Sequence, residues 1–581
     1  MRRFFLGVSF TFATLVILGC GSDAPETALS KTDALAQSGV SQETPSPDRK
    51  KKNASGLPIA ISRETTHITQ PLRADGYPNY GAALDERQSK GVTTGNNYAV
   101  ALVEVFGPHQ IKEGIRAAYF AKLGIEPLAE EGDYLVDFDD YLAEANPFLK
   151  EAINQSYDER DFASEPWTSE DFPELAQWQD DYAAQLDRLI PTARHTKYYT
   201  PIVTNEENSS VLAVALPNTQ HFRDAARALL ERAMRRVGER DFDAAWEDVM
   251  ACRRIAQLVR QGPGLINALI GNALDGMAHQ AIIAIASEPH LTRVMIDEYR
   301  HDLKSLPPRP DMLVAMQPAE RFMCLDMICS LAHEGPTSLH SVMWVYEGGM
   351  DNVFGALFEP ITGDGTVEEA IQQSTEEMLR GLTPDEKRQR QMELLYEAID
   401  WDVVLTTCNA FYDRLQAIAK IDDPKQRSNK LEELLAEYER LGSLDGLKDL
   451  NEEVPAEKHK EFSLRLAGSF FNLMAPAIPT SLQSQQRTIT EDRLADCALA
   501  LAAYWVEQDR LPERLEQLVP DYVAEIPRDA FSNAPLRYVP RDEGYLLYSI
   551  GPNMQDEEGS GPYTDGIGDD ITVVVGDAES E

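Results

Sequence analysis

The sequence predicts a mainly α-helical protein that ends in a small α+β module. Between residues 222 and 259, apolar residues recur with helical spacing on both sides of Gly238. After about Ser484, one further apolar stripe is followed by short runs of strand-forming residues. The 581 residues are too many for one hydrophobic core, so we expect several domains.

The clearest helical pattern predicts a helical hairpin. The apolar face of its first helix comprises Phe222, Ala225, Ala226, Leu229, Leu230, Ala233, Met234 and Val237. Gly238 breaks this pattern, and Asp241 is a favourable N-cap for a second helix from Phe242 to Val259. No second copy follows at a fixed period, so we predict an irregular helical domain over residues 77–483 rather than a solenoid. Further helices are predicted at residues 265–287, 292–306, 318–333, 366–380, 384–421, 425–441 and 456–473.

The N-terminus predicts export and lipid attachment. Two arginines precede an apolar run from Phe4 to Leu18, which is typical of a secretory signal peptide and too short for a transmembrane helix. The motif ILGC at residues 17–20 resembles the lipobox of bacterial lipoproteins, in which the cysteine thiol receives a diacylglyceryl group. We therefore expect a signal peptide over residues 1–19, lipid attachment at Cys20 and a location on the extracytoplasmic side of the cell membrane. The alternative is an ordinary signal peptide with a chance cysteine.

Residues 20–76 are predicted to form a disordered tether. The segment from Gly21 to Gly76 contains no aromatic residue and is rich in Ser, Thr, Pro and charged residues. The whole chain is strongly acidic, with a formal net charge of −42. Such a charge repels phosphate backbones, so we expect no nucleic-acid partner, and it suits divalent cations or a salty medium. Solubility alone is the alternative explanation.

Residues 484–581 are predicted to form the α+β module, a helix on a three-stranded antiparallel sheet. The helix stripe comprises Leu494, Cys497, Ala498, Leu501, Ala502 and Trp505. The predicted strands are Leu536 to Val539, Tyr545 to Ile550 and Ile571 to Val575.

The loop between the last two predicted strands is crowded with acidic residues and contains no Lys or Arg. Hard cations prefer carboxylate, amide and main-chain oxygens in a bending loop, and five glycines supply the bends. Oxygen donors are available from Asn553, Asp556, Glu557, Glu558, Asp565, Asp569 and Asp570. We predict a Ca²⁺ site formed by Asn553, Asp569 and Asp570, with Asp556 and main-chain carbonyls near Ser549 as further ligands. The alternative is a mobile acidic loop without an ion.

Residues 487–575 resemble the soluble part of a type II secretion major pseudopilin. The matching segments are residues 511–512, 515–520, 529–531, 536–538, 547–553 and 568–571. The resemblance implies a pseudopilin-like fold with a calcium site in the last loop. Asp509, Ala530 and Asn553 depart from the family's glycine, proline and calcium-binding aspartate. The pilin methylation site and hydrophobic stem are also missing, so we do not expect a pilus-like fibre.

Most of the chain after Tyr77 resembles a family of large secreted planctomycete proteins without an assigned activity. The shared segments include DFDAAWEDVMACRRIAQLVRQGP at residues 241–263 and LYSIGPN at residues 547–553. This resemblance implies secretion but no particular activity.

We expect a lipid-anchored scaffold or binding protein, with protein or envelope partners, rather than an enzyme. No P-loop, HExxH or GxSxG signature is present. The alternative is an extracytoplasmic enzyme, a hydrolase, with a site near residues 334–365. There, His333, Glu334 and His340 flank a Gly-Pro turn beside a glycine-rich segment with four aromatic residues.

Overall fold

A computed structural model describes residues 56–145, 161–203, 219–340, 384–442, 452–474, 477–542, 544–561 and 568–576. The described chain is mainly helical and contains a three-stranded antiparallel sheet near its C-terminus. This confirms the predicted mainly α fold class and its small C-terminal sheet.

Helices make up most of the described chain. In chain order they are α1 Tyr80–Gln88, α2 Tyr98–Phe106, α3 Glu113–Leu123, α4 Phe138–Ala145, α5 Pro173–Asp181, α6 Ala183–Thr192, α7 Thr219–Gly238, α8 Phe242–Val259, α9 Leu265–Ala286, α10 Arg293–Ser305, α11 Met312–Ala315, α12 Ala319–Glu334, α13 Glu386–Ala398, α14 Trp401–Ala419, α15 Pro424–Leu441, α16 His459–Met474 and α17 Ala477–Gln508. Short 3₁₀ helices lie at Ala456–Lys458 and Leu515–Leu518.

The described residues form two compact units. Unit 1 comprises residues 56–87, 202–203, 316–340, 384–442, 452–474 and 477–479. Unit 2 comprises residues 88–145, 161–201, 219–315, 480–542, 544–561 and 568–576. The last segment of unit 2 begins close to the predicted boundary at residue 484, but it shares this unit with earlier helices. That residues 484–581 form a domain of their own stays a prediction.

Unit 1 begins before the predicted start at Tyr77. Ile59 and Thr66 are buried, and the backbone N–H of Ala60 donates to the Asp402 carboxylate at 2.7 Å. The hydroxyl of Tyr80 donates to the carbonyl of Thr66 at 2.8 Å. The tether predicted for residues 20–76 therefore extends too far toward the C-terminus. The prediction relied on the absence of aromatic residues, but aliphatic and threonine side chains anchor this segment. Residues 20–55 lie outside the described residues.

The core of unit 1 contains an aromatic cluster contributed by three helices. The rings of Phe411, Tyr438 and Phe471 lie 4.4–4.9 Å apart, a separation at which aromatic pairs stabilise a fold beyond their burial. The single helix predicted over residues 384–421 is divided into α13 and α14. Asp400 produces the break, because its side chain caps α14 by accepting hydrogen bonds from the backbone of residues 402 and 403.

The predicted helical hairpin is confirmed in unit 2 as α7 and α8. All eight predicted apolar positions of α7 are at most 1% exposed. Asp241 caps α8 as expected, with its side chain accepting from the backbone N–H of Ala244. Gly238 is required by a close approach, since a Cβ atom there would lie 2.1 Å from the carbonyl oxygen of Trp167.

Helix α9 follows the hairpin and is more apolar than α7 and α8. Among the described helices, α9 alone is long and apolar enough to cross a bilayer, yet 67% of its apolar window is buried inside the fold. It also carries the buried polar residues Asn272, Asp275 and His279. These features are typical of a core helix.

The sheet consists of β1 Arg537–Arg541, β2 Gly544–Ser549 and β3 Ile571–Val575, with β2 in the centre. Tyr538 pairs with Leu547, which pairs with Val573 on the other side. The predicted strands are thus confirmed within one or two residues at their ends. In α17 the predicted buried stripe is correct through Leu501, but Trp505, the last residue of the predicted stripe, is 38% exposed.

Candidate metal site between the last two strands

The acidic loop leaves and re-enters the sheet at one place. Ser549, the last residue of β2, pairs with Ile571, the first residue of β3. The Ser549 hydroxyl donates to the Asp529 carboxylate at 2.8 Å and accepts from the backbone N–H of Gly551 at 3.2 Å. The two ends of the loop are therefore held together before any ion is considered.

Two glycines allow the loop to close tightly. Gly551 has φ +65°, and a Cβ atom there would lie 2.4 Å from the carbonyl oxygen of Asp569. A Cβ atom at Gly568 would lie 2.5 Å from the carboxylate of Glu557. Neither position tolerates a side chain, so these glycines are what allow residues 557 and 569 to approach each other.

Three carboxylates converge inside this loop. Glu557, Asp569 and Asp570, here called the acidic cluster, each offer an oxygen atom within 4.8 Å of the other two. Ca²⁺–oxygen distances are about 2.3–2.6 Å, so oxygens on opposite sides of one ion lie about 5 Å apart. The spacing of the acidic cluster is thus compatible with a single Ca²⁺ ion.

Backbone N–H groups orient the acidic cluster. Asp570 Oδ2 accepts from Gly559 at 2.8 Å and from Glu557 at 3.3 Å. Glu557 Oε2 accepts from the backbone of Asp569 at 2.7 Å, and Asp569 Oδ2 accepts from the backbone of Asn553 at 3.1 Å. The carboxylates are therefore positioned by the fold rather than free to turn away from one another.

One oxygen of each aspartate remains without a partner. Asp569 Oδ1 and Asp570 Oδ1 are buried and accept no hydrogen bond, and Asp570 is 0% exposed. Among the described residues, no lysine or arginine forms an ion pair with the acidic cluster. A buried carboxylate oxygen without a partner costs free energy unless a cation compensates it.

The pKa values of both aspartates reflect this environment. Burial raises the pKa of Asp569 and of Asp570, and the neighbouring carboxylate of Glu557 raises both further. Backbone N–H donors and, for Asp569, the positive charge of Arg487 oppose the shift only in part. An aspartate whose pKa is raised in the folded state destabilises the fold once it ionises, and a bound divalent cation reverses that effect.

The four residues predicted from the sequence occupy different places. Asp569 and Asp570 lie in the acidic cluster. Asn553 lies beside it, with its side-chain amide donating to Glu557 Oε1 at 3.1 Å. Asp556 instead accepts from the hydroxyl of Tyr548 at 3.0 Å and lies 3.5 Å from the guanidinium of Arg537.

Glu557 takes the place expected for Asp556 in the acidic cluster. Asp556 and Glu557 are both among the seven possible oxygen donors. The run of acidic residues alone does not show which of these two side chains points toward Asp569 and Asp570. The deciding signal is Gly568, which leaves room for the Glu557 carboxylate. This role of Gly568 can be recognised only from the folded loop.

The remaining predicted sites are largely outside the described residues. Cys20 is one of these, as are residues 341–365 of the alternative enzymatic site. Of the histidines beside that site, His333 packs its ring edge-on against Tyr77, with 5.1 Å between ring centroids, and His340 is buried.

No protein-family model, curated protein or solved structure matches the chain. The resemblances to pseudopilins and to secreted planctomycete proteins therefore stay predictions from the sequence.

Proposed function

We propose that the chain is a lipid-anchored extracytoplasmic scaffold or binding protein whose C-terminal, pseudopilin-like module is stabilised by Ca²⁺. The observation that carries the calcium part is the convergence of Glu557, Asp569 and Asp570 around buried carboxylate oxygens without partners. The signal sequence and Cys20 support the anchor, and the net charge of −42 is compatible with a calcium-containing medium.

The donor set favours Ca²⁺ over other metals. All three side chains of the acidic cluster are carboxylates, the hard ligands that Ca²⁺ and Mg²⁺ prefer, and the cluster contains no thiol or imidazole to select zinc. Mg²⁺ requires near-ideal octahedral geometry and gives up its water reluctantly, whereas Ca²⁺ accepts irregular loops. An irregular loop closed by glycines is therefore better suited to Ca²⁺.

The ion would act as a clamp on the sheet. Glu557 follows β2, and Asp569 and Asp570 immediately precede β3, so one ion would join the two ends of the loop. It would also neutralise carboxylates that repel one another when ionised. At a free Ca²⁺ concentration tenfold above the dissociation constant, this linkage contributes about 1.4 kcal/mol to the free energy of unfolding.

We expect Ca²⁺ to reverse the order of stability of two proteins. In EDTA, Asp569→Asn/Asp570→Asn should be at least as stable as the wild type, because it removes two carboxylates whose ionisation is unfavourable in the fold. In millimolar Ca²⁺ the wild type should melt about 2–6 °C higher than in EDTA and above the variant. Thermal melting of the full chain in Ca²⁺, Mg²⁺, EDTA and NaCl of matched ionic strength measures both effects.

The matched control is Glu513→Gln/Glu516→Gln. It removes the same two charges from exposed positions of the same module. This control should respond to Ca²⁺ as the wild type does. An equal response of wild type and Asp569→Asn/Asp570→Asn would show that Ca²⁺ acts only on the general acidic surface, and it would contradict the proposal.

A further inference from the structure

Residues 57–70, here called the N-terminal segment, are attached to the helices of unit 1 by hydrogen bonds. The side-chain amide of Asn409 on α14 donates to the carbonyls of Arg63 and Glu64 at 2.7 and 3.1 Å. The contacts of residues 60 and 66 described above hold the same segment. All of these bonds use main-chain groups of the N-terminal segment.

The side chain of His67 makes a further contact, with a buried arginine of α12. Arg321 is 1% exposed, and its Nη1 lies 2.6 Å from Nδ1 of His67. A guanidinium group only donates hydrogen bonds and keeps its charge, so Nδ1 of His67 must accept and the imidazole must be neutral. This contact therefore exists only while Nδ1 of His67 carries no proton.

The same nitrogen of Arg321 has two other acceptors, both on α14. Nη1 lies 2.8 Å from Asp413 Oδ1 and 3.2 Å from Asn409 Oδ1. Nη1 carries two hydrogens, so three acceptors compete for them. When His67 is protonated and no longer accepts, Arg321 keeps the acceptors on Asp413 and Asn409. Loss of the contact with His67 therefore does not leave Nη1 unpaired in the core.

The charges around His67 oppose its protonation. Burial lowers the pKa of His67, the facing guanidinium of Arg321 lowers it next, and Arg63 of the same segment lowers it further, whereas Asp413 of α14 acts in the opposite direction. A histidine whose pKa is lowered in the folded state destabilises its surroundings when it is protonated. The attachment is thus fully present above the ordinary histidine pKa of about 6.5, and it weakens as the pH falls from there through the lower pKa of the folded state.

Two features allow the ring of His67 to leave Arg321. His67 is half-buried and lines an open cleft of about 550 Å³ together with Asp413, so a protonated imidazole can turn toward water. The backbone of His67 has φ +59°, a left-handed conformation that residues other than glycine rarely adopt. Such a conformation persists only where the surrounding structure holds it. The contact with Arg321 is one of the restraints that hold it.

We propose that His67 is a proton-sensitive latch that holds the N-terminal segment on unit 1 at neutral pH and weakens this attachment in acid. The neutral ring accepts from Arg321 and fixes residue 67. The protonated ring carries a hydrogen on Nδ1, so it repels the guanidinium group and the N-terminal segment opens more often. Because this segment follows the predicted tether, its opening would lengthen the connection to the lipid anchor proposed above. The latch itself does not depend on that anchor.

Hydrogen exchange of the full chain measures the opening of the N-terminal segment. After correction for the pH dependence of intrinsic exchange, peptides from residues 57–70 should be protected about tenfold less at pH 5 than at pH 7. Peptides from α15, a helix of unit 1 without histidine, report any general destabilisation by acid and should change much less. Equal loss of protection in the two regions, or no loss in the N-terminal segment, would overturn the proposal.

The variant His67→Asn separates the latch from other effects of acid. Asparagine tolerates a left-handed backbone and offers an acceptor oxygen for Arg321, but it does not titrate. The N-terminal segment of this variant should be equally protected at pH 7 and pH 5. His301→Asn removes an exposed histidine of unit 2 and should keep the loss seen in the wild type. A wild-type loss of protection in His67→Asn would contradict the latch.

The variant Asp413→Asn tests the charges around His67 without changing His67 itself. The Asp413 side chain is 62% exposed, so the substitution should not disturb the core. Removing its negative charge makes protonation of His67 harder, so the pH of half-maximal loss of protection should fall by several tenths of a unit or more. Asp422→Asn removes the same charge from an exposed position of unit 1 and should leave this pH unchanged. Equal values for the two variants would count against the latch.

Discussion

Replacing Asp275 by asparagine should lower the free energy of unfolding of unit 2 by about 3–5 kcal/mol. Asp275 is 1% exposed and is shared by Arg253, Arg260 and Arg309. Removing its charge leaves these three guanidinium groups, two of them buried, with Asp492 as the carboxylate that still pairs with Arg253 and Arg309. An uncompensated buried charge is among the most destabilising changes a core can receive.

The pKa of Asp275 shows how strongly these arginines depend on it. Burial alone would raise this pKa, but the guanidinium groups of Arg253, Arg260 and Arg309 lower it to about 2. A carboxyl whose pKa is lowered in the folded state stabilises the fold above its unfolded pKa of about 4 and loses that effect as the pH falls through about 2. The contribution of Asp275 is therefore fully present at neutral pH.

Urea unfolding, combined with hydrogen exchange of peptides from α8 and α9, measures the loss in unit 2. Asp297→Asn is the control, because Asp297 forms an exposed ion pair with Arg293 at 2.9 Å in the same unit. Exposed pairs of this kind contribute at most about 0.5 kcal/mol. If Asp275→Asn lowered the free energy of unfolding no more than Asp297→Asn does, the claim that the buried ion pairs hold the helices together would be contradicted.

Replacing Cys20 by alanine should transfer the protein almost completely from the membrane to the soluble fraction. Each buried methylene contributes about 0.8 kcal/mol, and two or more acyl chains are needed for durable anchoring. Without the thiol no acyl chain can be attached, and the described residues offer only the largely buried helix α9 as an apolar span. Fractionation of the producing cells, followed by detection of the protein, measures the distribution.

Ser22→Ala is the matched control for the anchor, because it changes a neighbour outside the motif at residues 17–20. It should stay in the membrane fraction. Equal membrane retention of Cys20→Ala and the wild type would contradict lipid attachment and favour an ordinary signal peptide or a protein contact as the means of retention.

Periodic patterns explain which parts of the fold could be predicted. The hairpin of α7 and α8 follows from apolar spacing and from Asp241, because both signals lie within one short segment. The strands of the C-terminal sheet follow from alternation in the same way. The break at Asp400 is also indicated locally, since aspartate is a preferred N-cap. The apolar pattern on both sides of Asp400 nevertheless predicted one continuous helix.

Contacts between distant residues explain what could not be predicted. Arg253 and Asp492 are 239 positions apart, and nothing in either surrounding segment indicates that the two side chains meet. The same holds for Ala60 and Asp402, which attach the start of unit 1. The acidic loop was identifiable because its residues are close in sequence, whereas the choice of Glu557 over Asp556 depends on how the loop closes.

Calorimetric titration of the full chain with Ca²⁺ tests the calcium site most directly. The proposal predicts a saturable site for one ion per chain, with a dissociation constant of about 10⁻⁴–10⁻³ M. Glu557→Gln should weaken this binding by tenfold or more, whereas Asp556→Asn, which changes the adjacent residue and the same charge, should retain it. Equal titration curves for these two variants, or the absence of a saturable site in the wild type, would contradict the proposal.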